Sequence, residues 1–261
     1  MSVLALPVSD RLIFRINPVA KLAAALILSA VLVLSIDWVS ALVALLLESV
    51  LFFWAGVPAK VFFLRTLPVW IAAPLVGLTI VLYGQTSGTT YFHFLLIDIS
   101  EGSVKLALAT FLRVLAIGLP AVVLFITVDP TDLADGLAQV VHLPSRFVLG
   151  GLAGLRLVGL FLDDWRSLAL ARRARGLADQ GRTRRLASQA FALLVLSIRR
   201  GSKLATAMEA RGLGAAGKRT WARESTFGGP EFALMAIGAI IAGTAVTVSV
   251  ATGNWNFIAG G

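Results

Sequence analysis

Two arginines stand in the same setting: Ala171-Arg172-Arg173-Ala174-Arg175-Gly176-Leu177 and Ala207-Met208-Glu209-Ala210-Arg211-Gly212-Leu213, equivalent positions being 36 residues apart. A guanidinium is planar, always charged, and able to grip a carboxylate through two parallel hydrogen bonds. The chemistry this offers is recognition rather than reaction. Gly just past a helix permits the left-handed conformation that closes it, and a cation in the last turn complements the helix dipole. That would account for a single Arg-Gly ending. Two copies with matching Ala and Leu weaken this plain account. Ala174 and Ala210 keep each tip thin enough to enter a groove, and two equivalent tips suit a partner with two equivalent sockets. The docking set is therefore Ala174, Arg175, Gly176, Ala210, Arg211 and Gly212.

Reactive chemistry is scarce elsewhere. No G-x-x-x-x-G-K-[ST] run occurs, so phosphates are not cradled in the P-loop manner and any ATP chemistry belongs to a partner. Cysteine is absent, which removes disulfides and thiolate metal sites. The only histidines, His93 and His142, lie far apart without a neighbouring ligand at metal spacing. His93, beside Tyr91, Phe92 and Phe94, reads as an interfacial aromatic anchor. No catalytic residue, metal site or cofactor is expected. Two charges fall inside apolar runs, Glu48 and Arg113, each nine residues in from the outer end of its span. At 1.5 Å per residue both lie roughly 13–14 Å deep, so an intramembrane ion pair is expected if those spans touch.

The elements that must position these residues follow from composition. Of 261 residues, 58% are hydrophobic and 14% charged, against roughly 45–50% and about 25% in a soluble domain. With mean hydropathy of +0.88, the bilayer is the solvent that makes the chain sensible. Five stretches read as spans: Val19 to Ile36, Val39 to Val57, Leu67 to Tyr83, Val104 to Val128 and Glu231 to Thr252. Asp37-Trp38 forms a tight turn, Lys60 and Arg65 a short loop, and residues 84–103 a Gly/Ser/Thr-rich outer segment. Residues 1–17 carry Asp10, Arg11 and Arg15 without a long apolar core, so no cleavable signal is expected.

With the N-terminus inside, 21 of the 23 Lys and Arg residues face the cytoplasm. The positive-inside rule selects that topology and leaves the C-terminus outside. The same distribution explains the net charge of +9 by anionic lipid and a cytoplasmic partner, without nucleic acid. Two further apolar runs, Phe147 to Leu162 and Ala187 to Ile198, are short, and the first carries Arg156. They read as helices in or beneath the cytoplasmic interface.

The segment between the fourth and fifth spans opens at Asp129-Pro130, with Asp129 as N-cap and Pro130 at the first helical position. A short helix runs to about Val141. A helix of roughly 30 residues follows from Leu143-Pro144-Ser145 to Arg175, about 45 Å long. A second, from about Arg184 to Arg211, presents Phe191, Leu194, Val195 and Ile198 on one face. The expected fold is an all-α integral membrane protein with about five transmembrane helices and a coupling domain of two long crossed or antiparallel helices. Its parts are residues 1–128 with four spans, residues 129–230 on the cytoplasmic side, and residues 231–261 with the last span.

Together these residues resemble the transmembrane T component of energy-coupling factor (ECF) transporters, the EcfT/CbiQ family. The resemblance covers nearly the whole chain. It rests on Asn17-Pro18 with Lys21 at the first span, Asp129-Pro130 after the fourth, Leu155-Arg156, and above all the double tip. It implies a multi-pass subunit of the cell membrane belonging to an importer of a vitamin or metal ion. In that family it joins a small membrane-embedded substrate-binding S component to two ATP-binding cassette ATPases, the same or different. Arg175 and Arg211 would dock in ATPase grooves. The first tip departs from the second in being more basic, through Arg172 and Arg173. The competing reading is a self-sufficient secondary transporter or channel, which calls for polar, broken helices in two related halves. Pro68, Pro74 and Pro120 interrupt spans, yet the only repeat is the tip motif.

Overall fold

The computed structural model describes residues 12–55, 58–84, 87–94, 97–176, 181–215 and 220–255. The described residues divide into two compact units, one within residues 12–129 and 226–255, the other within residues 130–225.

The first unit is an apolar bundle. A single turn, α1 (Leu12–Arg15), precedes α2 (Pro18–Val33), α3 (Trp38–Ala55), α4 (Ala59–Tyr83), α5 (Glu101–Ile126) and, after the second unit, α9 (Gly229–Ala251). Helix α2 packs on α9 and α5, α3 on α5 and α9, and α4 on α5. Leu28, Leu32, Ala44, Ala116, Ile241 and Ala245 form one buried cluster; Ala73, Leu115 and Leu119 form a second under α4. Helices in lipid gain nothing by hiding apolar surface from one another, so close backbone approach carries the packing. A methyl group at Gly238 of α9 would stand 3.2 Å from the Ala24 carbonyl of α2, and one at Gly118 of α5 would stand 2.7 Å from Val69 of α4. Large apolar side chains point outward instead, Phe53 being 87% exposed and Leu64 69%.

Several boundaries move from the sequence reading. Helix α4 starts at Ala59, not Leu67, so Lys60 and Arg65 ride on its first turns rather than in a loop. Their long aliphatic stems can lie along an apolar helix while the charge reaches water. Pro58 immediately before the helix and Pro68 and Pro74 within it do not stop it. Residues 84–103 are not wholly irregular: β1 (Thr90–Phe94) and β2 (Ile97–Ser100) pair antiparallel, His93 opposite Asp98. Tyr91, Phe92 and Phe94 have the aromatic character strands favour. Ser100 and Ser103 then cap α5 reciprocally.

By length and composition, α4, α5, α7 (Ser145–Ala174) and α9 could each cross a membrane, while α2 and the apolar part of α3 are shorter. The five spans expected above include α2 and α3 and omit α7, so length and charge rank α7 differently. The second unit consists of α6 (Pro130–Gln139), α7 and α8 (Arg182–Ala210). Arg223 closes it, donating to Asp132 Oδ1 at 2.9 Å and, through its carbonyl, accepting from Gln139 at 2.9 Å.

Candidate functional site

The two tips are built alike. Arg175 ends α7 at φ −90°, ψ 6°, and Arg211 ends α8 at φ −89°, ψ 11°. Each is followed by glycine in the left-handed region, Gly176 at φ 72° and Gly212 at φ 80°. At the second tip Gly212 N–H donates to the Glu209 carbonyl at 2.9 Å and Leu213 N–H to the Met208 carbonyl at 3.0 Å. This is the reciprocal closure of a Schellman ending. At the first, Gly176 N–H reaches the Arg173 carbonyl at 3.1 Å; Leu177 lies outside the described residues. Ala174, Arg175, Gly176, Ala210, Arg211 and Gly212 are all exposed. Both guanidiniums therefore stand on solvent-facing helix ends of the same shape.

Helices α7 and α8 run antiparallel. Arg172 donates to the Arg185 carbonyl at 3.3 Å, Gln189 to the Trp165 carbonyl at 2.8 Å, and Arg200 to both oxygens of Asp164. At the other end, the Arg146 side chain lies against Gly214. The two tips consequently sit at opposite ends of the pair. No residue of α7 is buried within the chain, although Leu155, Leu162 and Leu170 are each about three-fifths exposed (63%, 59% and 64%). Phe191, Leu194, Val195 and Ile198 of α8 are likewise exposed. Such apolar surface needs lipid or a partner to cover it.

The remaining sequence-selected residues lie in or beside the bundle. Asn17 caps α2, its Oδ1 accepting from Val19 N–H at 3.0 Å, with Pro18 at the first helical position. Its backbone N–H donates to Glu231 Oε1 at 3.2 Å, and its side-chain amide donates to the Thr226 carbonyl at 2.9 Å. Glu231 Oε2 accepts from Gly228 N–H at 2.9 Å, so one carboxylate closes α9 and holds the start of α2. Lys21 is 1% exposed and donates to the Thr127 carbonyl at 3.0 Å, just past the end of α5. The motif Asn-Pro-x-x-Lys thus fastens α2 to α9 and α5. Asp129 directly precedes α6, which begins at Pro130.

The Glu48–Arg113 ion pair is not made. Arg113 instead donates to the carbonyls of Leu32 at 2.8 Å, Val33 at 2.8 Å and Ser35. These carbonyls at the end of α2 lack helical donors and carry the negative end of its dipole, which suits a cation. Glu48 is 2% exposed, and neither of its carboxyl oxygens has a hydrogen-bond partner. Depth alone could not separate these outcomes, because it says nothing of which way each side chain points. Sequence reasoning also missed the polar knot at the same end of the bundle. Asp37 accepts from Ser40 N–H and Oγ, both at 2.7 Å, and from Ser249 Oγ of α9 at 2.6 Å. Among the described residues, no cluster of His, Asp and Glu suited to a metal occurs.

An apolar helical bundle joined in one chain to a long helix pair with twin arginine tips defines a polytopic membrane subunit of the transporter class. The chain belongs to the CbiQ family of cobalt transport proteins, whose model matches residues 9–220. It is 29% identical over 201 residues to the energy-coupling factor transporter transmembrane protein EcfT of Limosilactobacillus fermentum, covering 71% of this chain and 73% of that protein. To the protein of the same name from Listeria innocua it is 27% identical over 213 residues, covering 76% and 79%. A third, from Brevibacillus brevis, is 29% identical over 174 residues, covering 61% and 64%. The chain is accordingly a transmembrane component of an ECF-type transporter.

Proposed function

We propose that this chain is the non-catalytic coupling subunit of an ATP-driven importer of a vitamin or metal ion. In this reading it sits in the cell membrane with its N-terminus inside and its C-terminus outside. Residues 1–128 and 231–261 form the membrane part that holds a small substrate-binding S component. Residues 129–230 lie in the cytoplasm and meet two ATP-binding cassette ATPases, identical or different. The observation that carries the proposal is the pair of exposed arginine tips of matching backbone shape at opposite ends of one antiparallel helix pair. Arg175 and Arg211 each grip a carboxylate in an ATPase groove, while the thin alanine and glycine surroundings let the tip enter. Asn17 and Lys21 fasten α2 to α9 and to the end of α5 within the membrane part, Pro18 starts α2, and Asp129 and Pro130 open the cytoplasmic segment.

The test is reconstitution. The chain with its ATPases and S component in liposomes is expected to take up substrate only with hydrolysable ATP inside the ATPase-facing compartment. Uptake by the lone polypeptide without nucleotide would contradict the proposal and favour a gradient-driven carrier.

A further inference from the structure

The bidentate contact between Asp164 and Arg200 has an unusual place in the helix pair. The offset of 36 residues that carries Arg175 onto Arg211 and Gly176 onto Gly212 also carries position 164 onto position 200. For two antiparallel helices related by a local two-fold, every cross-contact has an image elsewhere except one whose members exchange with each other. Asp164 and Arg200 are such a pair, so their contact stands on the axis. A faithful repeat would set two like residues face to face there, and like charges at that range repel. The chain departs from its repeat at this position, with an acid in one copy and a base in the other. The side chains are 20% and 37% exposed, less than the other ion pairs of this unit.

Arg175 stands eleven residues after Asp164, and Arg211 eleven after Arg200. The contact is thus the midpoint between the tips, with arms of roughly 16 Å at 1.5 Å per residue. The arms are not held equally. The arm ending at Arg175 has two more polar ties, Gln189 to Trp165 and Arg172 to Arg185 and Ser188. The positions that mirror Gln189 and Trp165 are Ala153 and Gly201, and those that mirror Arg172 and Ser188 are Met208 and Leu152. None of those side chains can make such a bond.

We infer that Asp164 and Arg200 form a pin that fixes the register of α7 against α8 and so sets the spacing between the two tip arginines. They are positioning residues, each eleven residues before a tip arginine. Among the described residues, the pin is the last side-chain hydrogen bond between the two helices before the Arg211 arm, which makes that arm the one its loss releases. A slip of one turn would move a tip by about 5.4 Å, more than the reach of a hydrogen bond. What the spacing serves rests on the coupling function proposed above; the pin itself does not.

The absence of cysteine allows a direct test. Leu170 and Thr206, equivalent and exposed positions on the two arms, are replaced by cysteine in the full chain and spin-labelled. Their separation is then measured in nanodiscs by double electron–electron resonance. The parent is expected to give one narrow distance. Asp164→Ala or Arg200→Ala is expected to lose that single narrow peak, and the exchange Asp164→Arg with Arg200→Asp to restore it, with helix content unchanged throughout. Should the alanine variants lose helix, Asp164→Asn keeps the shape without the charge and is also expected to broaden the distribution. A narrow peak that survives in the single variants, or one the exchange fails to restore, overturns the pin. ATPase capture on the same samples separates the two ideas. Normal capture with an unmoved distance defeats the pin alone, and no capture by the parent defeats the coupling function alone.

Discussion

The backbone N–H of Asn17 donates to Oε1 of Glu231 across 214 residues of chain, while Oε2 of the same carboxylate closes the first turn of α9. Both groups are buried, at 7% exposure each. The first and last long helices of the bundle are tied by one side chain, so its loss takes an acceptor from two backbone amides.

Glu231→Ala is therefore expected to destabilise the bundle by about 1–3 kcal/mol, the usual cost of leaving a buried donor unpaired. Glu231→Gln retains an acceptor oxygen and is expected to lose less. Unfolding of the purified protein in mild detergent, followed by tryptophan fluorescence, measures both.

Arg113 and Glu48 are expected to behave independently. Arg113→Leu leaves the carbonyls of Leu32, Val33 and Ser35 without their donor and lowers stability, whereas Glu48→Gln removes no hydrogen bond. A double-mutant cycle on the same unfolding signal is expected to give a coupling within about 0.5 kcal/mol of zero, as for residues that share no contact. A coupling of several times that size would restore the ion pair.

Gly176 and Gly212 both occupy the left-handed region, where a side chain costs roughly 1–2 kcal/mol. Gly212→Ala is expected to fray the Schellman ending of α8 and weaken ATPase capture without disturbing the bundle; Gly212→Asn, which tolerates that conformation better, is expected to retain more. Capture assays beside circular dichroism distinguish a lost tip shape from a lost fold.

A Cβ added at Gly238 would stand only 3.2 Å from the Ala24 carbonyl oxygen of α2. Gly238→Leu is expected to force α2 and α9 apart and reduce the yield of folded protein, while Gly243, with open space around it, accepts the same change. Size-exclusion profiles of the two variants make the comparison.

How far the sequence carried this account depends on whether a feature is written locally. The ends of α7 and α8 were legible, because Gly176 and Gly212 each announce a left-handed residue and the apolar periodicity stops there. The start of α4 was not, since Lys60 and Arg65 look like loop residues until their stems are allowed to lie along a helix. The hairpin of β1 and β2 was hidden in a short stretch whose glycine, serine and threonine content resembles a loop. Partners distant in sequence were the least legible. Nothing local in Glu231 points to Asn17, and an arginine that satisfies the carbonyls of another helix leaves no pattern of its own. The Asp164–Arg200 contact did leave one, at equal distances before the two tip arginines, visible only once the repeat is extended backward from the tips.

The central claim is that Arg175 and Arg211 each hold one ATPase. Native mass spectrometry of the complex, released from detergent, counts the subunits directly. The expected result is two ATPases on the parent chain, one on either Arg175→Ala or Arg211→Ala, and none on the double variant. Two ATPases retained by a folded double variant would contradict the claim.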